Sequence, residues 1–237
     1  MPNKAIEVKN LVKKYDGRNP TLDGVSFSVQ EREFVTVYGK SGCGKTTLLN
    51  ILGGLDRPTS GDVEIHGTDI TELGEDELAR VRLEEIGFVF QDYNLLPDLT
   101  VRENVALPLR FSRMTDQGRI DDLLKRFEID GIAESTANKI SGGEAQRAAI
   151  ARALVNEPSI ILADEPTGNL DSENTAKVIE TLRSIIEDFN TTVILATHDT
   201  ELAGYSSLRI HISDGKASLE DLREASDRVT RGSPSDV

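Results

Sequence analysis

Apolar positions fall into two rhythms along the chain. Short β-branched runs recur at 34–38, 63–65, 86–90, 160–162 and 193–195. The last two are apolar at consecutive positions, as strands are when both faces of a sheet are covered. Helical patterns lie between them, and this alternation predicts an α/β sheet with helices on its faces. The early stretch VSFSVQEREFVTV alternates apolar with polar, which predicts antiparallel strands beside that sheet. From Asp92 to about Lys139 no strand pattern appears. Thr100 and Glu103 make a capping box opening VRENVALPL. Ile120, Leu123, Leu124 and Phe127 recur at i, i+3, i+4 and i+7, the stripe of an amphipathic helix. Asp214-Gly215, between RIHIS and KASL, predicts a tight hairpin. The pattern therefore reads as one domain: an α/β core at about 1–91 and 155–217, a helical insertion at about 92–154, and a polar tail at 218–237.

Composition narrows the classes. The 237 residues are 38% hydrophobic, enough for a substantial core. The formal net charge of −14 disfavours nonspecific contact with nucleic acid or anionic lipid. Cys43 is the single cysteine, so no intramolecular disulfide can form. The N-terminus has no apolar signal core, and runs such as IILA and VILA are far too short to span a bilayer. A cytosolic location is expected, with any work at a membrane done through a partner.

The chemistry gathers at strand ends. Gly39-Lys40-Ser41-Gly42-Cys43-Gly44-Lys45-Thr46 fits G-x-x-x-x-G-K-[ST], follows the strand FVTVY and precedes an apolar helix. Its glycines let backbone N–H groups turn toward phosphate, Lys45 supplies a cation for the β- and γ-phosphates, and Thr46 offers Mg²⁺ a hydroxyl. Asp164 and Glu165 end the run SIILAD, where α/β sheets hold their ligands. Asp164 is placed to bind Mg²⁺, and Glu165 to accept a proton from attacking water. Gln91 ends IGFVF and His198 ends TVILAT in the same manner. Lone histidines are more often structural, but here four strands deliver polar side chains to one edge. The amide of Gln91 can ligate Mg²⁺ or hold the water. Ser141-Gly142-Gly143-Glu144 opens a further helix and reads as a capping box, yet it also offers a second phosphate-binding helix start.

Taken together, GKSGCGKT, Gln91, ISGGE, IILADE, GNLD and His198 resemble, in order, the Walker A loop, Q-loop, signature, Walker B, D-loop and switch histidine of an ABC-type nucleotide-binding subunit. The resemblance runs from Ile6 to about Ala217. The phrases GFVFQDYNLLPDLTVRENVALPL and ADEPTGNLD are similar to the lipoprotein-release, macrolide-export and cell-division group. It implies a P-loop NTPase (RecA-like) core of mainly parallel sheet, an N-terminal antiparallel β subdomain and an inserted α-helical subdomain. It implies ATP and Mg²⁺ as ligands, with Gly39 to Thr47 around the phosphates and Tyr15 stacked on adenine. It also implies a head-to-tail pair of copies, in which Ser141, Gly142, Gly143, Glu144 and Asp171 of one chain complete the other's site. An integral membrane permease is expected to dock near residues 92–109, leaving this chain peripheral on the inner face of the membrane. Two outcomes stay open: export or extraction of a lipophilic substrate, or an ATP-driven mechanical signal passed through a partner that transports nothing. A soluble ABC protein of DNA repair or translation is disfavoured, because the chain has neither a long coiled-coil insertion nor a second cassette.

Overall fold

The computed structural model describes residues 3–15, 19–112, 116–168, 172–199 and 202–222. In chain order the elements are β1 (Lys4–Lys13), β2 (Leu22–Gln30), β3 (Phe34–Tyr38), α1 (Lys45–Leu52), β4 (Ser60–Ile65), β5 (Thr68–Asp69), α2 (Glu75–Glu84) and β6 (Ile86–Phe90). There follow α3 (Val101–Phe111), α4 (Gln117–Arg126), α5 (Gly142–Leu154), β7 (Ile160–Asp164), α6 (Ser172–Phe189), β8 (Thr192–Thr197), β9 (Leu208–Ser213) and β10 (Lys216–Asp221). Two sheets form. One has the order β2-β1-β4-β5 and pairs antiparallel; the other has the order β10-β9-β3-β8-β7-β6 and is parallel from β9 to β6.

The consecutive apolar runs are explained by what covers each face of the parallel sheet. Ile160, Leu162, Ile194 and Ala196 pack into one cluster with Leu48, Leu49, Ile51 and Leu52 of α1 and the inner face of the antiparallel sheet. Ile161, Ala163, Val193 and Leu195 point the other way, into a cluster built by α3, α4, α5 and α6. Each strand therefore buries both of its alternating sets, and no polar face is needed.

One expectation is corrected. VSFSVQEREFVTV does not form two antiparallel strands. Only its first half belongs to β2. The chain turns at Arg32, with φ 63, and Phe34–Tyr38 enters the parallel sheet between β8 and β9. Alternation sees one strand at a time and cannot tell which sheet will receive it. β10 runs to Asp221 and pairs antiparallel with β9. The hairpin between them is as read, with Asp214 at φ 49 and Gly215 at φ 77. Ile120, Leu123, Leu124 and Phe127 are all buried in the helical cluster. The Thr100–Glu103 box closes both ways: Glu103 N donates to Thr100 Oγ1 at 3.1 Å and Thr100 N to Glu103 Oε2 at 2.9 Å.

Candidate functional site

Because β3, β8, β7 and β6 are parallel neighbours, their C-terminal ends share one edge. The register places Phe90, Asp164 and Ala196 in one row, with Tyr38 beside Thr197. The residues that follow these strands, Gly39, Gln91, Glu165 and His198, are thus delivered together, as the sequence predicts.

The loop after β3 is shaped by backbone crowding. Gly39 sits at φ 156, and a Cβ there would lie 2.3 Å from the Ile212 carbonyl oxygen and 2.7 Å from Cys43 Sγ. Gly44, at φ 111, caps α1 and would place a Cβ 2.9 Å from the Thr21 carbonyl oxygen. Neither position accepts another residue without backbone movement. Because Gly44 has no side chain to cap the helix, and no acidic residue lies in the first turn, the first N–H groups of α1 remain for an anion. Lys40, Ser41, Gly42 and Thr46 are exposed around this opening, Cys43 and Thr47 are half-buried, and Lys45 is buried. Lys45 Nζ donates to the carbonyl oxygens of Gly39 at 3.0 Å and Lys40 at 3.3 Å, which arches the loop over its own side chain.

Glu165 joins the strand ends. Its carboxylate lies 3.4 Å from Lys45 Nζ and 2.8 Å from His198 Nδ1, and it accepts from His198 N at 3.3 Å. Glu165 has φ 47, a left-handed conformation that non-glycine residues occupy at a cost. It is held there by two backbone bonds, Glu165 N to Ala196 O at 2.9 Å and Gly168 N to Glu165 O at 3.0 Å. The turn it starts also packs on Gln91, whose Nε2 lies 3.0 Å from where a Cβ on Gly168 would sit.

Asp164 behaves differently from its neighbour. Burial raises its pKa, assisted by the nearby Glu165 charge, against a hydrogen bond from Thr46 and the Lys45 cation. Its Oδ1 is buried with no hydrogen-bond partner. A buried carboxylate oxygen without a partner, beside the Thr46 hydroxyl, is a hard-oxygen donor set of the kind Mg²⁺ takes. Among the described residues no group of three or more His, Cys, Asp or Glu is placed to hold a metal. The fit is therefore to an ion that draws further oxygens from a phosphate ligand.

Ser141 to Glu144 stand apart. Ser141 Oγ and N donate to Glu144 Oε2 at 2.6 and 2.7 Å, and Glu144 N donates back to Ser141 Oγ at 3.4 Å. These bonds close within the first turn of α5. The bonds from Ser141 hold the Glu144 carboxyl below its ordinary range. Tyr15 is half-exposed beyond the end of β1, its Oη donating to Asp56 Oδ2 at 2.8 Å. Asp171, with Asn169 and Leu170, lies outside the described residues.

The sequence reading missed two polar anchors. Asn104 is fully buried in α3; it accepts from Leu96 N at 2.8 Å and donates to the carbonyls of Leu96, Leu99 and Thr100. Arg152 of α5 donates to the Asn94 and Tyr93 carbonyls. Between them they shape the 93–100 loop. A signal existed for Asn104: it shares the stripe of Val101, Val105 and Leu109, where an unpaired polar residue would be costly.

Comparison with known proteins agrees with this geometry. The ABC transporter family profile matches residues 22–168. The chain is 44% identical over 216 residues to the ABC transporter ATP-binding protein YxdL of Bacillus subtilis, covering 89% of this chain and 84% of that one. It is 40% identical over 228 residues to lipoprotein-releasing system ATP-binding protein LolD 1 of Chlorobium chlorochromatii, covering 93% of each. Among solved structures it superposes with TM-score 0.84 on the ATP-binding cassette MJ0796, a dimer in a post-hydrolysis state bound to ADP and Pi, at 42% identity over 92% of this chain and 99% of that one. MJ0796 comes from Methanocaldococcus jannaschii. Phosphate loop, strand-end acids and overall superposition converge on one conclusion: the chain belongs to the ABC transporter family, as an ATP-binding subunit with ATPase activity.

Proposed function

We propose that this chain is one half of a head-to-tail ATPase pair that drives a membrane permease to export or extract a lipophilic substrate. The observation that carries the pairing is a division of parts. The phosphate loop, Asp164, Glu165 and His198 meet at one sheet edge, while the Ser141–Glu144 helix start closes its hydrogen bonds on itself and contributes none to that edge. A second copy, turned head to tail, brings that helix start and its N–H groups to the γ-phosphate. Ser141, Gly142, Gly143 and Glu144, with Asp171, then act on the partner's nucleotide.

In the closed pair Tyr15 stacks on adenine, and Gly39, Lys40, Ser41, Gly42, Cys43, Gly44, Thr46 and Thr47 surround the phosphates. Lys45 exchanges the Glu165 carboxylate for the β- and γ-phosphate oxygens. Glu165 then takes the proton of the attacking water as its oxygen bonds to the γ-phosphorus, and the bond to the ADP oxygen breaks. His198, already on the Glu165 carboxylate, holds that base in place. Thr46, Gln91 and Asp164 would hold Mg²⁺, which supplies charge neutralisation at the phosphates when bound.

The permease would seat near residues 92–109. A groove of about 280 Å³ is lined by Phe88, Phe90, Asn94, Pro108 and Arg152, and Leu96 and Phe111 are exposed apolar side chains in the same part of the sequence. No described helix is long and apolar enough to cross a membrane. On this reading the chain sits on the inner membrane face through that permease. The names of similar proteins, for lipoprotein release and for bacitracin and macrolide export, support a lipophilic cargo. Purification from membranes should bring down an integral protein whose presence raises ATP turnover. Recovery without such a partner would refute the permease role, and a partner with no substrate path would favour signalling.

A further inference from the structure

Tyr15 is held by an anchor that adenine stacking alone does not require. Its Oη donates to Asp56 Oδ2 at 2.8 Å. Lys13 Nζ donates to Asp56 Oδ1 at 2.6 Å and to the Arg57 carbonyl at 2.7 Å. The same ammonium lies 4.8 Å from the centroid of the Tyr15 ring, a cation–π contact on one face. Arg57 N completes the cluster by donating to Asp56 Oδ1 at 2.7 Å. Burial pushes the Asp56 pKa up, but the bonds from Lys13, Tyr15 and Arg57 outweigh it and hold the carboxyl below its ordinary range. Asp56 is thus ionised at neutral pH, and its bonds are charge-assisted.

The position of Asp56 gives the cluster its consequence. Asp56 N and Leu55 N both donate to the Asn50 carbonyl in α1, at 3.2 and 2.8 Å. The loop is therefore tied to the helix whose other end is the phosphate site. An exposed tyrosine on a strand end would otherwise sample several rotamers. Here its ring is fixed to the element that holds the phosphates, with Lys13 on one face.

We propose that Asp56 is a positioning residue for the nucleotide: with Lys13 it locks the Tyr15 ring to the phosphate-binding helix, presenting the face opposite Lys13 to the base. The proposal rests on the reading of Tyr15 as the adenine platform. It predicts that part of the nucleotide affinity is preorganisation of this side chain, lost when the anchor is cut even though the ring remains.

The test is a double-mutant cycle in the full chain, read by calorimetry with ADP and by steady-state kinetics with ATP. Tyr15→Phe removes only the hydroxyl, and Asp56→Ala removes the acceptor that Tyr15 shares with Lys13 and Arg57 N. Each should raise the ADP Kd by about 3- to 10-fold, the range for freeing one side chain. The double variant should be no weaker than the worse single, because both cut one tether. Asp56→Asn keeps one acceptor oxygen but puts an amide NH₂ where the other stood, so it can serve Tyr15 or Lys13 and not both, and should recover only part of the loss. The effect should fall on KM rather than on kcat. Additive effects in the double variant, or unchanged affinity in both singles, would overturn the anchor. Tyr15→Ala separates the two ideas. A loss of about 10-fold is expected from the missing stack; unchanged affinity there would remove the platform itself. A loss with Tyr15→Ala alone, and none with either anchor variant, would leave the platform standing and refute the role of Asp56.

Discussion

Glu165→Gln separates chemistry from binding, and the structure gives both expectations a size. The Glu165 carboxylate lies 3.4 Å from Lys45 Nζ, with the two side chains 6% exposed at Lys45 and 16% at Glu165. At an effective dielectric of about 20, that attraction is about 5 kcal/mol before desolvation. Most of it is offset by the cost of removing both ions from water, and Lys45 keeps its two carbonyl acceptors, so a net of about 1 kcal/mol is expected. That net opposes an incoming phosphate, which must take Lys45 from Glu165. Removing the charge therefore predicts ATP affinity unchanged or tighter, by at most about 5-fold. Turnover moves the other way. An amide cannot accept the proton of the attacking water, and loss of a positioned general base costs about 10²–10⁴-fold. Phosphate release at saturating ATP, equilibrium binding of ATP and gel filtration with ATP present read the three effects. The variant should bind ATP, accumulate as a dimer and scarcely turn over. Turnover within about 10-fold of the parent would remove Glu165 as the base. ATP binding weakened by more than about 10-fold would refute the competition for Lys45.

Other outcomes follow from the same geometry. Asp164→Asn removes a carboxylate whose charged form burial disfavours and whose Oδ1 lacks a partner, so the apo chain should melt higher while Mg²⁺-dependent turnover falls sharply; a lower melting temperature with normal turnover would contradict both roles. Glu144 has its pKa lowered by the bonds from Ser141, so its stabilisation of α5 is present above the ordinary glutamate value and is lost as pH falls through the lowered one. The thermal advantage of the parent over Glu144→Gln should accordingly hold from neutral pH down to the ordinary glutamate range and shrink as pH falls below it; an advantage that stays constant into strong acid would show that the charge is not the source. Alkylation of Cys43, the one thiol and half-buried inside the phosphate loop, should abolish nucleotide binding, and bound ATP should protect it; full binding after complete modification would show that the loop tolerates the added bulk.

Much of this was legible in the chain because the chemistry needs particular residues at strand ends. Consecutive apolar residues at 160–163 and 193–196 announce strands covered on both faces, and the acids and histidine following them have no core role. The pattern of Phe34–Tyr38 fits either sheet; only pairing with β8 and β9, far away in sequence, decides it. The contacts of Glu165 with both the Lys45 ammonium and the His198 ring are equally hidden, since they depend on a left-handed backbone at an acidic residue. So are the tethers of the 93–100 loop by Asn104 and Arg152, and of Tyr15 by Asp56, each joining positions that no periodicity connects. Glu144 shows how one residue type serves two readings. The capping box it makes with Ser141 is present in the fold, and the proposed role at a partner's phosphate is a second reading of the same helix start.

The central claim is that each reaction centre is assembled from two chains. Lys45→Ala disables the phosphate loop, and Ser141→Arg disables the helix start that serves the partner. Each variant alone should be inactive. Mixed in equal amounts they should form hybrid pairs with one centre made wholly of undamaged parts, and recover about a quarter of the parent's turnover under random pairing. A mixture as inactive as its components, alongside a parent whose turnover per chain is undiminished on dilution to monomers, would contradict the account.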